Sequence, residues 1–364
     1  MHIGVLFSYD VSLKDWHKSG LIDREIEIYH KLSQHHKISL ITFGDSSDLK
    51  FQKKLKKIRI IPVYKFIKKR NKYINIFISL FLPFFLKSYF VNIDMLKCNQ
   101  MWGSWIAVIN RIFNGKKYIS RSGYEMYQNE LNNKGILKKI IYYFLSILSY
   151  KFSDKIIVTT KDIKKFIIKT FFLNHKKIII IPNYINTEKF KIFGKKRNND
   201  FLYVGRLSEE KNLFMIFQLF KGNKKKLNVL GNGILKDALI EYKDKNKINI
   251  NFLKNKKNDK MPYVFNRFKF FILMSKYEGH PKALLEAMAC GCICIVKKSQ
   301  GIKSIIKNNN NGFYIKNKVE FSQILIKIQK NITLARKISK NSSDYVEKNF
   351  SLNKIIRKEL NIYK

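Results

Sequence analysis

Apolar residues occur along this chain in short runs that alternate with stretches of helical spacing. Ile22, Ile26, Tyr29 and Leu32 recur three or four residues apart, which is typical of an amphipathic helix. The runs on either side of such stretches are too short for helices and predict buried strands. In the first half of the chain these predicted strands cover residues 2–8, 37–44, 117–122, 155–160 and 177–183.

The same alternation restarts after Asn183. Two successive series of strands and helices predict an α/β protein with two doubly wound parallel sheets. We expect an N-terminal domain at 1–182, a C-terminal domain at 183–345, and a last helix within 346–364 that returns to the first domain. The polar stretch 191–200 is the best linker candidate. The second series comprises predicted strands at 200–205, 227–231, 250–253, 269–275 and 292–298 and predicted helices at 212–220 and 234–242.

The chain is strongly basic, with 72 Lys and Arg against 26 Asp and Glu and a formal net charge of +46. Such a charge favours nucleic acid or an anionic membrane as a partner. The charges occur in nearly every segment, together with abundant Lys, Asn, Ile, Tyr and Phe, so genomic codon bias explains much of the excess. We therefore expect no specific nucleic-acid partner.

Cysteine usage and the start of the chain indicate the compartment. Four cysteines are too few for a disulfide scaffold and indicate a reducing, cytoplasmic environment. Cys290, Cys292 and Cys294 are separated by single residues, a spacing too tight for a tetrahedral metal site, so we expect them to be small buried residues and expect no metal. The first ten residues lead directly into a strand pattern and predict no signal peptide.

Glycine and two cations follow the predicted strand 200–205. Ligands of parallel sheets bind at the carboxyl ends of strands, where the following helices present their N-termini. Gly205, Arg206 and Lys211 lie at such a point, with Asn212 as a helix cap, and they suit a phosphate or pyrophosphate. The alternative is that both cations are solvated surface charges. The glycine turn at 231–233 is weak evidence by itself.

Two glutamates flank the start of another predicted helix, which begins at Pro281 within the stretch 276–291. Pro281 suits its first position and Gly291 its end. Glu286 lies within that helix among alanines and leucines, where a carboxylate is costly unless hydrogen-bond donors satisfy it, as a ribose diol would. Glu278 precedes the helix and faces the strand ends. The alternative is that Glu278 is a helix-start acid and Glu286 a surface residue.

Together these motifs resemble the retaining glycosyltransferase family four, which has the GT-B fold. The resemblance implies two Rossmann-like doubly wound domains facing a cleft, with the acceptor on the N-terminal domain and a nucleotide sugar on the C-terminal one. Five motifs in the family's order carry the resemblance: "IIPNYINTEKF" (180–190), "YVGRLSEEKNL" (203–213), "VLGNGILKDAL" (229–239), "EGHPKALLEAMACG" (278–291) and "NNGFYI" (310–315).

The resemblance implies a role for particular residues. Arg206 and Lys211 would hold the donor pyrophosphate, Glu286 the nucleotide ribose, and Glu278 the transferred sugar. The expected catalytic set is Glu278, Arg206 and Lys211. The expected donor-binding set is Gly205, Arg206, Lys211, Gly279, His280, Pro281, Lys282, Ala283, Leu284 and Glu286.

The chain also departs from the family pattern. Ile293 and Cys294 replace a usual Pro-Val, and the segment Gln300, Gly301 and Ser304 replaces a Gly-Gly followed by a glutamate. In the first half, Gly20 lies where the family has a glycine-containing loop. A histidine that the family commonly has in this domain is missing, and Arg121 and Glu125 are the candidates on the acceptor side.

The implied reaction moves a sugar from a nucleotide diphosphate to a glycan or lipid-linked acceptor with retention of configuration, in cell-surface polysaccharide assembly. No Asp-x-Asp motif is evident, so we expect no metal requirement and no cofactor. One alternative is a sugar-nucleotide epimerase of the same fold, and another is a basic nucleic-acid-binding protein. A nicotinamide-dependent oxidoreductase is disfavoured because the first βα turn lacks G-x-G-x-x-G.

A basic window in the first half bears on localisation. Residues 49–93 contain twelve Lys and Arg and no Asp or Glu. This window includes the apolar stretch 73–86, which Pro83 interrupts and which is too short to span a membrane, and a second apolar stretch follows at 135–152. These stretches are either core helices beside solvated lysines or parts of a surface that docks on the inner face of an anionic membrane.

Overall fold

The computed structural model describes residues 1–131, 135–194 and 196–364. The chain divides into two compact units. The first comprises Met1–Ile181 together with Lys358–Lys364, and the second comprises Pro182–Arg357.

The first unit is built on a seven-stranded parallel sheet with the strand order β3-β2-β1-β4-β5-β6-β7. The order reverses between β1 and β4, which pair from Ile3 with Met95 to Leu6 with Cys98. These strands are almost wholly buried, as expected for a parallel sheet covered on both faces. The strands are β1 (His2–Leu6), β2 (Lys37–Thr42), β3 (Arg59–Pro62), β4 (Met95–Cys98), β5 (Lys117–Ser122), β6 (Lys155–Val158) and β7 (Ile178–Ile180).

Side-chain caps begin several helices of the first unit. Ser12 and Asp15 form a capping box at α1, Asn71 caps α5 and Thr160 caps α11. The helices are α1 (Leu13–Lys18), α2 (Ile22–Leu32), α3 (Gln52–Leu55), α4 (Val63–Phe66), α5 (Lys72–Leu80), α6 (Leu82–Phe85), α7 (Lys87–Phe90), α8 (Trp105–Asn114), α9 (Met126–Glu130), α10 (Ile136–Phe152) and α11 (Lys161–Phe171). Short 3₁₀ helices lie at Ser46–Phe51 and His175–Lys177.

A buried ion pair joins the last residues of the chain to the first sheet. The Lys97 ammonium on β4 donates to Oε1 of Glu359, and both side chains are fully buried. The Tyr363 hydroxyl donates to the same oxygen at 2.7 Å. Burial lowers the pKa of Lys97, and the positive charge of Arg121 lowers it further. The Glu359 carboxylate is therefore the charge that compensates a buried lysine.

The second unit has a six-stranded parallel sheet with the order β10-β9-β8-β11-β12-β13. Its order reverses between β8 and β11, which lie side by side at its centre. Its strands are β8 (Asn198–Val204), β9 (Leu227–Leu230), β10 (Ile250–Leu253), β11 (Phe268–Leu273), β12 (Ile293–Val296) and β13 (Phe313–Tyr314). The following helices are α12 (Leu213–Phe220), α13 (Lys236–Lys245), α14 (Met261–Arg267), α15 (Lys282–Ala289), α16 (Lys318–Lys330), α17 (Ile332–Phe350) and α18 (Leu352–Leu360), the last of which continues from the second unit into the first. Short 3₁₀ helices lie at Glu209–Lys211, Asn258–Lys260 and Ile302–Ser304.

Both predicted parallel sheets are confirmed, and each predicted strand overlaps an observed one. Three strands were not predicted: β3, β4 and β13. The polar stretch 191–200 lies within the second unit, and its last residues, Asn198–Asp200, already belong to β8. The apolar stretches 73–86 and 135–152 form α5, α6 and α10. No helix among the described residues has the length and apolar character needed to cross a membrane.

Candidate functional site

The loops that follow β8 and β11 meet at the point where the strand order of the second sheet reverses. Parallel strands present their carboxyl ends at one edge, so this point is a natural crevice for a ligand. The Lys276 amide donates to the carbonyl of Glu210 at 2.8 Å, and the Asn212 side chain donates to the carbonyl of Met274 at 3.3 Å. Asn212 therefore ties the two loops together and does not cap α12 through its side chain, contrary to the sequence prediction.

An ion pair between Lys211 and Glu278 lies across these two loops. The Lys211 ammonium donates to Oε1 of Glu278 at 2.7 Å, and the Ser275 hydroxyl donates to the same oxygen at 2.7 Å. The two charged side chains are 15% and 10% exposed, respectively. The sequence suggested separate roles for the two residues, and the structure brings them into direct contact. Ser275 was not singled out, since a serine at a strand end carries no distinctive signal.

Arg206 lies at the same edge but extends into solvent. Its side chain is 79% exposed and approaches Glu210 at 3.5 Å, whereas its carbonyl is held by the Tyr203 hydroxyl at 2.9 Å. Burial raises the pKa of Glu210, but hydrogen bonds from Ser208 and the nearby cations outweigh it and lower the pKa overall. The backbone of Arg206 is thus fixed while its guanidinium remains accessible to an anion.

Two glycines allow the strand-end loops to approach one another closely. A Cβ at Gly231 would lie 1.8 Å from the carbonyl oxygen of Gly205. Gly301 has φ +77°, and a Cβ there would lie 2.3 Å from the carbonyl oxygens of both Glu278 and Gly279. Only glycine fits these positions. The segment around Gly301, which departs from the family pattern, therefore still supplies a glycine against the Glu278 loop.

Helix α15, which follows the Glu278 loop, carries Glu286. Pro281 occupies its N-cap and Gly291, with φ +72°, follows its C-cap at Cys290, close to the predicted ends. Leu284 is fully buried and Glu286 is 3% exposed, so Glu286 is not a surface residue of an amphipathic helix. At the start of the helix, Ala283 is half-buried and the Lys282 ammonium lies 4.6 Å from the centre of the Tyr184 ring.

His280 precedes α15 and is buried. Its carbonyl accepts a hydrogen bond from the Asn183 side chain at 2.6 Å, and its ring packs edge-on against Phe350 with centroids 4.9 Å apart. Burial lowers the pKa of His280 to about 3, and the charge of Lys282 acts in the same direction. The imidazole is therefore neutral at physiological pH and anchors the loop that carries Glu278.

The three closely spaced cysteines lie behind this site. Cys290, Cys292 and Cys294 are unoxidised and buried, as the sequence predicted. Burial raises the pKa of all three thiols, to about 12 for Cys292. Within the described ranges, no three His, Cys, Asp or Glu side chains are grouped so as to hold a metal ion.

The candidate acceptor-side residues belong to the first unit and lie on different elements. Gly20 ends the turn after α1 with φ +69°. Arg121 is a buried residue of β5. Glu125 is 1% exposed, caps α9, and accepts a hydrogen bond from Ser146 of α10 at 3.0 Å. Burial raises the pKa of Glu125, although its hydrogen bonds oppose the rise.

Two family models match consecutive parts of the chain. The model described as Glycosyltransferase Family 4 matches residues 26–189, and the model described as Glycosyl transferases group 1 matches residues 185–345. Together they extend over most of the sequence. The chain belongs to glycosyltransferase family four.

Curated relatives of this glycosyltransferase family member include two bacterial proteins. The Escherichia coli UDP-Gal:alpha-D-GlcNAc-diphosphoundecaprenol alpha-1,3-galactosyltransferase is 29% identical over 254 residues, 62% of this chain and 64% of the relative. The Staphylococcus aureus capsular polysaccharide biosynthesis glycosyltransferase CapM is 27% identical over 253 residues, 62% of this chain and 65% of the relative. The chain thus spans less than two thirds of the length of either relative.

A solved structure with the same architecture is that of Anabaena Alr3699/HepE in complex with UDP. It superposes with a TM-score of 0.79 at 12% identity and covers 100% of this chain and 99% of that one. At this identity the likeness concerns the fold, which is the GT-B fold of two Rossmann-like units.

Proposed function

We propose that this glycosyltransferase family member transfers a sugar from a nucleotide diphosphate sugar to a glycan or lipid-linked acceptor in the assembly of a cell-surface polysaccharide. The observation that carries the proposal is the Lys211–Glu278 ion pair at the reversal point of the second sheet. It combines a cation for a diphosphate with a carboxylate for sugar hydroxyls at the edge where parallel sheets bind ligands.

The neighbouring groups support the same assignment. Arg206 offers an accessible guanidinium for the diphosphate. The N-terminus of α15, which follows Gly279 and Pro281, offers a second positive group, the partial charge of its free backbone N–H groups. Glu286, further along α15, is the residue that we assign to the ribose hydroxyls. When the diphosphate arrives, Lys211 would exchange its bond to Glu278 for one to a phosphate oxygen. That exchange would free Glu278 Oε1 to accept from the sugar, while Ser275 keeps the carboxylate oriented.

Catalysis would then rest on charge stabilisation and positioning. The bond between the sugar and the diphosphate breaks with negative charge growing on the departing phosphate, next to Arg206 and Lys211. A cation next to the departing phosphate stabilises that charge, and the effect is larger for the largely buried Lys211 than for the exposed Arg206. The acceptor oxygen bonds to the anomeric carbon on the face from which the phosphate departs, and that phosphate takes the proton of the acceptor hydroxyl, so the sugar keeps its anomeric configuration. We infer that neither a metal ion nor another cofactor is required, and activity should persist in EDTA.

The printed names of the comparison proteins support the substrate classes. The Escherichia coli relative is named for a UDP-sugar donor and a diphosphoundecaprenol-linked acceptor, and the Anabaena structure contains UDP. A lipid-linked acceptor would place the enzyme on the cytoplasmic side of a membrane, as a peripheral protein. The acceptor residues would come from the first unit, with Gly20, Arg121 and Glu125 as candidates.

Product analysis tests the proposal directly. The protein is incubated with UDP-, GDP- or ADP-sugars labelled in the sugar, after a thermal-shift screen has identified the nucleotide that raises the melting temperature. Transfer of the label to an acceptor, with the axial or equatorial configuration retained, is the expected result. Conversion of the sugar without transfer would instead identify an epimerase. Absence of a thermal shift with every nucleotide sugar would contradict the donor site.

A further inference from the structure

The first unit exposes a continuous row of aromatic rings on α5 and α6. Among the described residues, twenty-one exposed large hydrophobic side chains lie in the first unit and six in the second. Tyr73, Phe77, Phe81 and Phe85 follow one another at intervals of four and are 81%, 63%, 41% and 61% exposed. Ring centroids are 5.4 Å apart from Phe77 to Phe81 and 6.3 Å apart from Phe81 to Phe85. We call these four residues the aromatic face.

A hydrogen bond and a ring contact to α8 hold α5 and α6 in place. The Trp105 indole of α8 donates to the Ser79 hydroxyl of α5 at 2.8 Å, and Phe84 of α6 packs on Phe113 of α8 with centroids 5.3 Å apart. Phe113 is itself 65% exposed and extends the apolar surface. The exposed rings thus belong to a packed structure and are not the side chains of a loose segment.

A cavity opens beside the aromatic face. Its volume is about 320 Å³, and Phe85 lines it together with Phe66, Ile78 and Leu86. Lys68 and Arg70 are its charged lining residues. The buried Asn75 side chain donates to the Arg70 carbonyl at 2.7 Å and accepts from the Arg70 amide at 2.8 Å, which fixes the backbone that carries these cations. An apolar cavity with two cations suits an amphipathic anion.

The charge around the aromatic face has one sign. Residues 49–93 contain twelve cations and no acid, and Lys65, Lys68, Arg70, Lys72 and Lys87 are exposed within this window. Lys69 differs, because it pairs with Asp10 at 3.0 Å. A second copy of the chain docking face to face through a two-fold axis would place these cations against one another. The charge therefore disfavours self-association and favours an anionic occupant with an apolar interior.

We propose that the aromatic face and the adjoining cavity dock the protein on an anionic phospholipid bilayer. The four rings enter the boundary between headgroups and acyl chains, and Lys68 and Arg70 bind a lipid phosphate at the cavity. The proposal deepens the proposed function and rests on it in one respect, since docking serves transfer only if the acceptor is lipid-linked.

Vesicle co-sedimentation tests the docking surface with three variants of the full chain. The first replaces Phe77, Phe81 and Phe85 by Ser, and the second replaces Lys68, Arg70 and Lys72 by Ser. The matched control replaces Ile234 and Val319 of the second unit, which are 87% and 64% exposed, by Ser. All substituted positions are exposed, so circular dichroism and the melting temperature should match those of the wild type.

The expected result has four parts. Wild type and control bind phosphatidylglycerol-containing vesicles and bind pure phosphatidylcholine vesicles much more weakly. The charge variant loses roughly a hundredfold in affinity, as three cations near an anionic surface imply. The aromatic variant loses at least tenfold, and the binding that it retains falls more steeply with salt than that of the wild type, because charge contributes most of it. The charge variant's residual binding is less sensitive to salt than that of the wild type, because fewer cations face the bilayer.

Several outcomes would overturn the proposal. Undiminished vesicle binding by the aromatic variant would show that its rings do not enter the bilayer, and equal wild-type binding to neutral vesicles would remove the role of the cations. A wild-type dimer in light scattering that the aromatic variant converts to monomer would identify a second copy as the occupant.

A parallel assay separates this proposal from the proposed function. The aromatic variant should transfer sugar to a short water-soluble acceptor analogue as fast as wild type, and at least tenfold more slowly to an acceptor embedded in vesicles. If wild type transfers to neither acceptor, the proposed function fails, while the sedimentation result still decides whether the surface binds lipid.

Discussion

Among the residues that the structure describes, two lysine–glutamate pairs, one in each unit, are largely or wholly removed from solvent, and they differ in their surroundings. Lys97 and Glu359 are fully buried beside the first sheet, and Tyr363 donates to the same carboxylate. Lys211 and Glu278 lie at the edge of the second sheet, where both side chains keep a fraction of their surface exposed. The first pair is closed to any ligand, whereas the second remains within a ligand's reach.

The difference shows how the same chemistry can serve structure or function. In the fully buried pair, the attraction between the two charges must offset the free energy lost when both leave water. Neither partner can exchange its contact without leaving the other charge buried and unpaired. A pair at a strand end can exchange one partner for a phosphate or hydroxyl oxygen, because the incoming group satisfies the charge that is released. Burial, more than pairing distance, therefore distinguishes the structural pair from the candidate catalytic one.

The largest expected effect comes from breaking the fully buried pair. Glu359→Gln leaves the Lys97 ammonium buried without a counter-charge and should lower the free energy of unfolding by about 3–5 kcal/mol. Chemical denaturation measures this loss. The double variant Lys97→Met/Glu359→Leu removes both charges and should recover most of the stability, while Asp344→Asn, in an exposed pair with Lys340, should change it little. Wild-type stability in Glu359→Gln would contradict the role of the pair.

Breaking the second pair should impair turnover more than folding. Lys211→Ala and Arg206→Ala each remove a cation from the departing diphosphate and should lower kcat by roughly a hundredfold or more. Steady-state kinetics with the identified donor measures the loss, and Lys330→Ala, an exposed lysine of α16, serves as the control. Unchanged kcat in the Lys211 variant would mean that this pair, too, is only structural.

The loop that carries Glu278 should be sensitive to acid through His280. The pKa of His280 is about 3 in the folded state and 6.5 in the unfolded state, so this imidazole is protonated in the unfolded chain first as the pH falls. The contribution of His280 to the free energy of unfolding is therefore complete above about pH 6.5 and is lost progressively between about pH 6.5 and pH 3. At pH 5 the loss is about 2 kcal/mol. Denaturation curves at pH 7 and 5 should show this decline in wild type and a smaller one in His280→Phe. Parallel declines in the two proteins would contradict it.

The smallest expected effect distinguishes the two glutamates of the second unit. Glu286→Gln keeps the side-chain shape but replaces an acceptor oxygen by a donor, so the donor Kd should rise about tenfold. Glu278→Gln should chiefly lower kcat. Titration calorimetry with the nucleotide sugar measures the first effect and initial rates the second. An unchanged Kd in the Glu286 variant would exclude the ribose contact.

Much of the fold could be predicted because parallel strands buried on both faces read as apolar runs. The exceptions have physical causes. Strand β4 reads Met-Leu-Lys-Cys, and the charge of Lys97 conceals it, since its partner Glu359 is 262 residues away. Strand β3 is four residues long and ends in proline, and β13 has only two residues. A local pattern cannot reveal a strand whose charge is compensated from a distant helix.

The candidate site could be predicted in its residues but not in its geometry. The charged residues Arg206, Lys211, Glu278 and Glu286 all carried a sequence signal, because charged groups next to strand ends or inside apolar helices are unusual. The direct bond between Lys211 and Glu278 depends on the order of strands in the sheet, which places β11 beside β8. Neither that order nor the contribution of Ser275 can be read from spacing along the chain.

The seven residues Lys358–Lys364 have a consequence for the synthesis of the protein. They complete the first unit, yet the ribosome makes them after the whole second unit. At about 5–20 residues per second, Glu359 emerges tens of seconds after Lys97. During that interval the nascent first unit contains Lys97, which is buried in the native state, but lacks Glu359, the carboxylate that pairs with it. The first unit is therefore completed only after the second unit has been synthesised, and chaperones have that interval in which to bind it.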